Sequence, residues 1–275
     1  HGLPAIQAAT HALLTDFAAA YLAKLAVAAL KEEVDVTPKP GLVDQRNNGA
    51  HQDMDRFLFY RSADALFPYF QRAVELGLTS DSCMPALQIA GRQAEQEMLA
   101  VTDGVNTHKG AIYAFGLALA ALGATLARGG DLFQRAAALA AAGIPPDAST
   151  HGGAAKVRYG ASGARGEALA GFPHGRKAWA ALRQHQGDPL PALLTLLAET
   201  EDTNLLYRGG PEGLAFVQQE AAVILAGPPE DYALRLEVLD DQCIARNLSP
   251  GGCADLLALG LLLYRTETIW RRDTI

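Results

Sequence analysis

The run Asp103-Gly-Val-Asn-Thr-His-Lys-Gly110 carries the ingredients of an anion site. Its glycines permit close backbone approach, and it opens an apolar stretch whose free N–H groups and dipole would favour negative charge. Lys109 adds a cation where a phosphate would sit. A Walker loop is excluded, because GxxxxGK followed by Ser or Thr is absent. A capped helix start with Lys109 in solvent explains the same residues. Ser249-Pro-Gly-Gly252 makes a second helix start of this kind.

Acids in unusual places raise the question of a metal. Asp255 precedes Leu256-Leu-Ala-Leu-Gly-Leu-Leu-Leu263, a helix expected to be buried on most sides. A buried carboxylate is costly unless paired, hydrogen-bonded or metal-bound, although a first-turn acid is also welcomed by the helix dipole. Glu201-Asp202 closes an apolar stretch, where the dipole would oppose an acid. His51-Gln-Asp53-Met-Asp55 sets acids and an imidazole in a loop entering a helix, with Asp53 as its expected cap. Magnesium takes oxygen ligands and keeps several waters, so carboxylates from separate loops would suffice; zinc is disfavoured without HExxH or a Cys/His cluster. Within His151–Lys177, Lys156, Arg158, Arg165, Arg176 and Lys177 face the single acid Glu167, which suits a ligand with many phosphates or a solvated basic loop. Asn47, Asn48, Asn106 and Asn204 lie in the same polar loops. A side-chain amide can pair with adenine, although Asn is also an ordinary turn residue.

The elements that must position these loops are helical. Ala, Leu, Glu and Gln fill long runs of helical period, and strand alternation is scarce. The periodicity predicts helices over 6–35, 54–77, 83–101, 109–128, 131–142, 177–186, 189–206, 211–226, 230–246 and 250–268. Ser249-Pro250 is expected to cap the last, and Gly209-Gly210 to end a helix. Gly143–Lys177 reads as a Gly-rich lid or loop. The expected fold is all-α: one domain over 1–275, a multi-helix bundle with Gly/Pro-rich functional loops. Hydrophobic residues make up 49% and charged residues 19%, which excludes a wholly disordered chain. A net charge of −7 argues against nucleic acid bound by bulk charge. Ala111–Ala127 is uncharged, yet an Ala/Gly-rich helix apolar all round reads as the centre of a bundle, so no membrane span is expected. Cys83, Cys243 and Cys253 lack CxxC spacing and suit a reducing cytoplasm.

Five strings, TPKPGLVDQRNNGAHQDMD, DGVNTHKGAIY, ARGEALAGFP, EDTNLLYRGG and LSPGGCADLLAL, occur in this order along nearly the whole chain. Together they resemble the triphosphoribosyl-dephospho-CoA synthase family. The resemblance implies an all-α transferase that uses ATP and 3′-dephospho-CoA as substrates and releases adenine. Its product would be the precursor of a prosthetic group, passed to a partner enzyme that loads an acyl-carrier protein of citrate lyase or malonate decarboxylase. For that reaction, chemistry suggests Glu33, Asp53, Asp202 and Asp255 for magnesium, and Lys39, Lys109, Arg165 and Arg208 for the triphosphate. Asp44, His51 and Glu167 are candidates for the base, and Asn48 or Asn106 for contact with adenine. A helical metal-dependent nucleotide phosphohydrolase, or a non-enzymatic nucleotide-binding adaptor, would use much the same residues. The Ala/Leu-rich surface is compatible with a homodimer.

Overall fold

The computed structural model describes residues 2–144 and 163–271. Every regular element among them is helical: α1 (Leu3–Asp35), α2 (Arg56–Ala65), α3 (Phe67–Thr79), α4 (Met84–Val101), α5 (Lys109–Arg128) and α6 (Leu132–Ala142). After the interval follow α7 (Gly163–Leu169), α8 (Pro173–Gln184), α9 (Pro189–Glu199), α10 (Thr203–Ala226), α11 (Tyr232–Ala245) and α12 (Gly251–Trp270), with a 3₁₀ turn at Pro229–Asp231 ahead of α11. The all-α expectation holds.

Two largely apolar helices form the axis of the bundle. In α5 nearly every residue from Ala111 to Thr125 is buried, and in α12 Leu256–Leu263 is buried throughout. Of the apolar window in α5, 72% is buried within the protein, which makes it a core helix despite its membrane-like length. Helix α3 crosses α5 with backbones nearly touching. A Cβ at Gly77 would lie 1.8 Å from the Ala120 carbonyl oxygen, and one at Gly123 would lie 2.3 Å from that of Val74. The C-terminal half of α1 packs on α3 and α12, while α8 and α9 pack on α12 and α10 on α9. One buried hydrophobic cluster draws on helices from α1 to α12.

The differences from the expected boundaries have local causes. The single helix expected over 54–77 is broken at Leu66, because Pro68 at the start of α3 cannot donate into a continuous ladder. Asp55, not Asp53, caps α2 by accepting from the Leu58 N–H at 2.8 Å. The stretch 189–206 ends at Glu199, and α10 starts afresh at Thr203. The expected helix end at Gly209-Gly210 is present: Gly210, at φ 64°, is non-helical, and α10 is two helical segments joined across this kink, the second opening with Pro211. Ser249 does not cap α12, whose flanking residue is Pro250. The expected loop is helical over much of 163–177, where α7 and the start of α8 lie; residues 145–162, including Lys156 and Arg158, lie outside the described residues.

Candidate active site

Three of the four acids expected at a metal converge. Glu33 lies in the last turn of α1, Asp202 sits in the turn between α9 and α10, and Asp255 stands in the first turn of α12. The Asp255 carboxyl is pushed well above the usual range, first by burial and then by the charges of Glu33 and Asp202. Among the described residues it has no hydrogen-bond or ion-pair partner. It rests instead on the first turn of α5, where a Cβ at Gly110 would meet its Oδ2 at 2.0 Å. Gly110 is therefore what lets α5 begin beside this carboxylate.

Asp202 has a different task from the one its sequence position suggested. Its Oδ1 accepts from the N–H groups of Asn204 (2.8 Å) and Leu205 (3.2 Å), which caps α10, and its Oδ2 accepts from the Cys253 N–H at 2.7 Å, which caps α12. The acid stands at two helix N-termini, where the dipole favours it. Burial nevertheless raises its pKa, with these hydrogen bonds opposing. Glu33 is also raised by burial, against the pull of Lys39. Lys39 is 1% exposed; its Nζ donates to the Glu33 and Val34 carbonyls at 2.6 and 3.2 Å and lies 2.9 Å from Glu33 Oε1. The last contact lacks hydrogen-bond geometry, and Glu33 Oε1 has no other partner. Lys39 thus closes the C-terminus of α1 and has no free reach toward a triphosphate.

The second assembly surrounds residues 37–51. Asp44 organises the turn by accepting from the N–H groups of Lys39 (2.8 Å), Arg46 (2.7 Å) and Asn47 (3.1 Å). Asp240 of α11, fully buried, anchors it through Gly41 N–H, Arg46 Nη1 and Asn47 Nδ2. Arg208 donates to the Ala50 carbonyl, to Asn247 Oδ1 at 2.8 Å and to His51 Nδ1 at 3.3 Å. Since guanidinium only donates, Nδ1 carries the lone pair and Nε2–H points to Ser249 Oγ at 2.7 Å. Burial and Arg208 lower the His51 pKa, with Asp53 opposing. Asp53 is exposed and belongs to this assembly rather than to the three acids. Asn48 is exposed.

The remaining expected residues frame α5 and α8. Asn106 Oδ1 accepts from the Lys109 N–H at 3.1 Å, and Lys109 Nζ pairs with Glu95 at 2.8 Å. Arg165 of α7 is near enough to Tyr113 for its charge to offset the upward push of burial on that phenol. Glu167 Oε1 accepts from the N–H groups of His174 and Gly175 at 2.7 and 3.1 Å, and Oε2 lies 2.8 Å from His174 Nδ1. Against a carboxylate Nδ1 is the donor, which in the neutral imidazole leaves the lone pair on Nε2. A Cβ at Gly175 would lie 2.9 Å from Leu259 Cδ2, one turn beyond Asp255. His108 is a further buried imidazole. Its Nδ1 is 2.6 Å from Ser62 Oγ, its Nε2 has no partner, and burial lowers its pKa to about 3.

A model of the family described as ATP:dephospho-CoA triphosphoribosyl transferase (CitG) matches residues 19–274, a range that holds every candidate site residue named above. The chain belongs to this family. It is 44% identical over 265 residues to the 2-(5″-triphosphoribosyl)-3′-dephosphocoenzyme-A synthase of Pectobacterium atrosepticum, covering 87% of each chain. A protein of Pseudomonas fluorescens named as probably the same synthase is 44% identical over 90% of this chain and 91% of its own. One of Salmonella choleraesuis, similarly named, is 41% identical over 89% and 90%. No solved structure matches the chain.

Within this family member, the sequence reading names Glu33, Asp202 and Asp255, which the fold brings together, and names neither His174 nor Asp240. His174 stands three residues after Gly171 in an otherwise basic stretch, where its neighbours' charge hides it. Asp240 lies mid-helix, where an acid reads as solvated until the loop at 37–51 folds over it.

Proposed function

We propose that the chain joins the triphosphoribosyl part of ATP to the ribose 2′-hydroxyl of 3′-dephospho-CoA where the N-termini of α5 and α12 meet. The observation that carries this site is Asp255: an unpartnered carboxylate beside two other acids, against the opening turn of a helix. In the reaction the C1′–N9 bond of ATP breaks and a C1′–O2′ bond forms. The hydroxyl proton leaves to a base, and N9 of the departing adenine gains a proton. A single displacement passes through an oxocarbenium-like centre, with inversion from a β to an α link.

Among the described residues no group of three or more His, Cys, Asp or Glu side chains could by itself enclose a metal ion. The donor set suits magnesium arriving on the triphosphate, since that ion is commonly bound by one or two carboxylates plus substrate phosphates. Asp255 and Glu33 would hold it, and it would supply neutralising charge. Asp202, engaged by three backbone N–H groups, shapes the place without a free oxygen pair. Arg165 and the start of α5 are the anion-binding side.

For the base we favour His174, fixed by Glu167, over the three earlier candidates. Both oxygens of Asp44 and of Glu167 accept from other groups, and the lone pair of His51 faces Arg208. His174→Gln is expected to lower kcat by about a hundredfold or more with the KM for ATP little changed; an unchanged kcat would return the role to another group. The three free, buried cysteines fit a cytoplasmic setting. The product would serve as the prosthetic-group precursor handed to an enzyme that loads an acyl-carrier protein.

The deciding experiment incubates the protein with ATP, magnesium and 3′-dephospho-CoA and follows products by mass. Adenine and the enlarged CoA derivative should form in equal amounts. Phosphate without adenine would favour a phosphohydrolase, and no turnover with intact binding would favour an adaptor.

A further inference from the structure

The N-terminal half of α1 leaves the body of the protein. Its buried residues begin only at Ala19, whereas Leu3, Ile6, Leu13, Leu14 and Phe17 are each 63–72% exposed. Their spacing is regular. With Phe17 at heptad position a, Leu3 and Lys24 also fall at a, while Ile6, Leu13 and Val27 fall at d. The stripe does not stop where α1 joins the bundle. It continues into a groove of about 380 Å³ lined by Lys24, Val27, Ala28 and Lys31 of α1 with Asp64 and Phe67 as its wall. One helix therefore presents an exposed apolar ridge in its first half and, on the same face, a channel in its second.

We propose that this face pairs two copies of the chain, α1 lying antiparallel on α1 of the second copy with ridge and channel exchanged about a two-fold axis. Isologous pairing demands a surface complementary to itself, and a ridge and channel in series on one helix meet that demand. Charge fixes the register. Asp16 and Lys24 have no ion-pair partner among the described residues. Seating Lys24 in the hole formed by Leu13, Asp16, Phe17 and Ala20 of the second copy joins these charges. The same register seats Val27 against Leu13 and Leu14 of that copy, and Phe17 over its Val27. The side chains that this register brings together from the ridge, Leu13, Leu14 and Phe17, are each 63–70% exposed. The ridge precedes residue 19, where the family match begins, whereas the channel lies within the match.

The test is sedimentation equilibrium of the full chain over a wide concentration range, with a limiting mass of twice 29.0 kDa expected. Phe17→Asp, at an exposed position, should weaken association about a hundredfold or more while leaving the fold and far-UV spectrum unchanged. Asp16→Lys should weaken it several-fold, and adding Lys24→Asp should restore it. Because the native cysteines are buried, a mixture of Leu13→Cys and Val27→Cys chains should form the mixed disulfide, and Leu13→Cys alone should not. A monomer at all concentrations, a Leu13→Cys self-disulfide marking parallel chains, or failure of the charge swap to restore association would each overturn the proposal. So would wild-type binding to anionic lipid vesicles that Phe17→Asp abolishes without any self-association.

Discussion

Replacing Asp202 by Ala tests whether one carboxylate holds the site's two helix ends together. The side chain is 1% exposed and accepts from three backbone N–H groups in two helices. Loss of an N-cap costs about 1 kcal/mol, and leaving the Cys253 N–H buried without a partner costs about 1–3 kcal/mol more. The expected destabilisation is about 2–4 kcal/mol, which for a chain of this size lowers Tm by about 5–10 °C. Asp202→Asn should fall between Ala and wild type. Its amide oxygen can still accept from Asn204 and Leu205, and it relieves a buried charge, but its NH₂ meets the Cys253 N–H donor to donor. Urea unfolding and calorimetry without magnesium provide the measurement. If Asp202→Ala shifts Tm by less than about 2 °C, the two helix ends are capped by something else and the reasoning fails. If Asn is as damaging as Ala, the α12 contact alone carries the effect.

The other expectations follow from the same geometry. Lys39→Met strands the Glu33 carboxylate and two α1 carbonyls, so it should cost about 3–5 kcal/mol in urea unfolding, with the KM for ATP unchanged in the folded fraction; a raised KM with normal stability would place Lys39 on phosphate instead. Asp255 has a folded pKa raised above its unfolded value, so its contribution is fully present below the usual carboxylate range and is lost as pH rises through the raised value. Asp255→Asn should therefore raise Tm on the alkaline side, flatten the fall of Tm with pH, and abolish turnover; a uniform loss of Tm at every pH would show that the carboxylate is structural. Gly110→Ala pushes only against the end of a side chain, so it should change stability little and lower kcat/KM at least about tenfold by moving Asp255; full activity would remove Asp255 from the site. Arg165→Ala should raise the KM for ATP and steepen its salt dependence, and an unchanged KM would leave Arg165 as a solvated cation.

Helical period and composition alone determined the all-α fold, because a repeat of 3.6 is a local property and the long runs Ala111–Ala127 and Leu256–Leu263 carry no charge. The same local logic marked the helix starts at 109 and, within one residue, at 250 and, through five strings, the family. What it could not decide was which acids meet. Asp53 and Asp202 look alike in sequence, each an acid in a polar loop, yet one lies exposed beside His51 and Arg208 while the other is buried under two helix ends. Lys39 and Lys109 both read as phosphate cations, but the turn at 37–51 folds Lys39 back onto the carbonyls of α1, and α4 brings Glu95 to Lys109. Glu167 reads as a base until α7 turns into α8 and interposes His174. These are contacts between segments distant in the chain or across a tight turn. Sequence supplies the donors and acceptors, and packing alone selects which of them face each other.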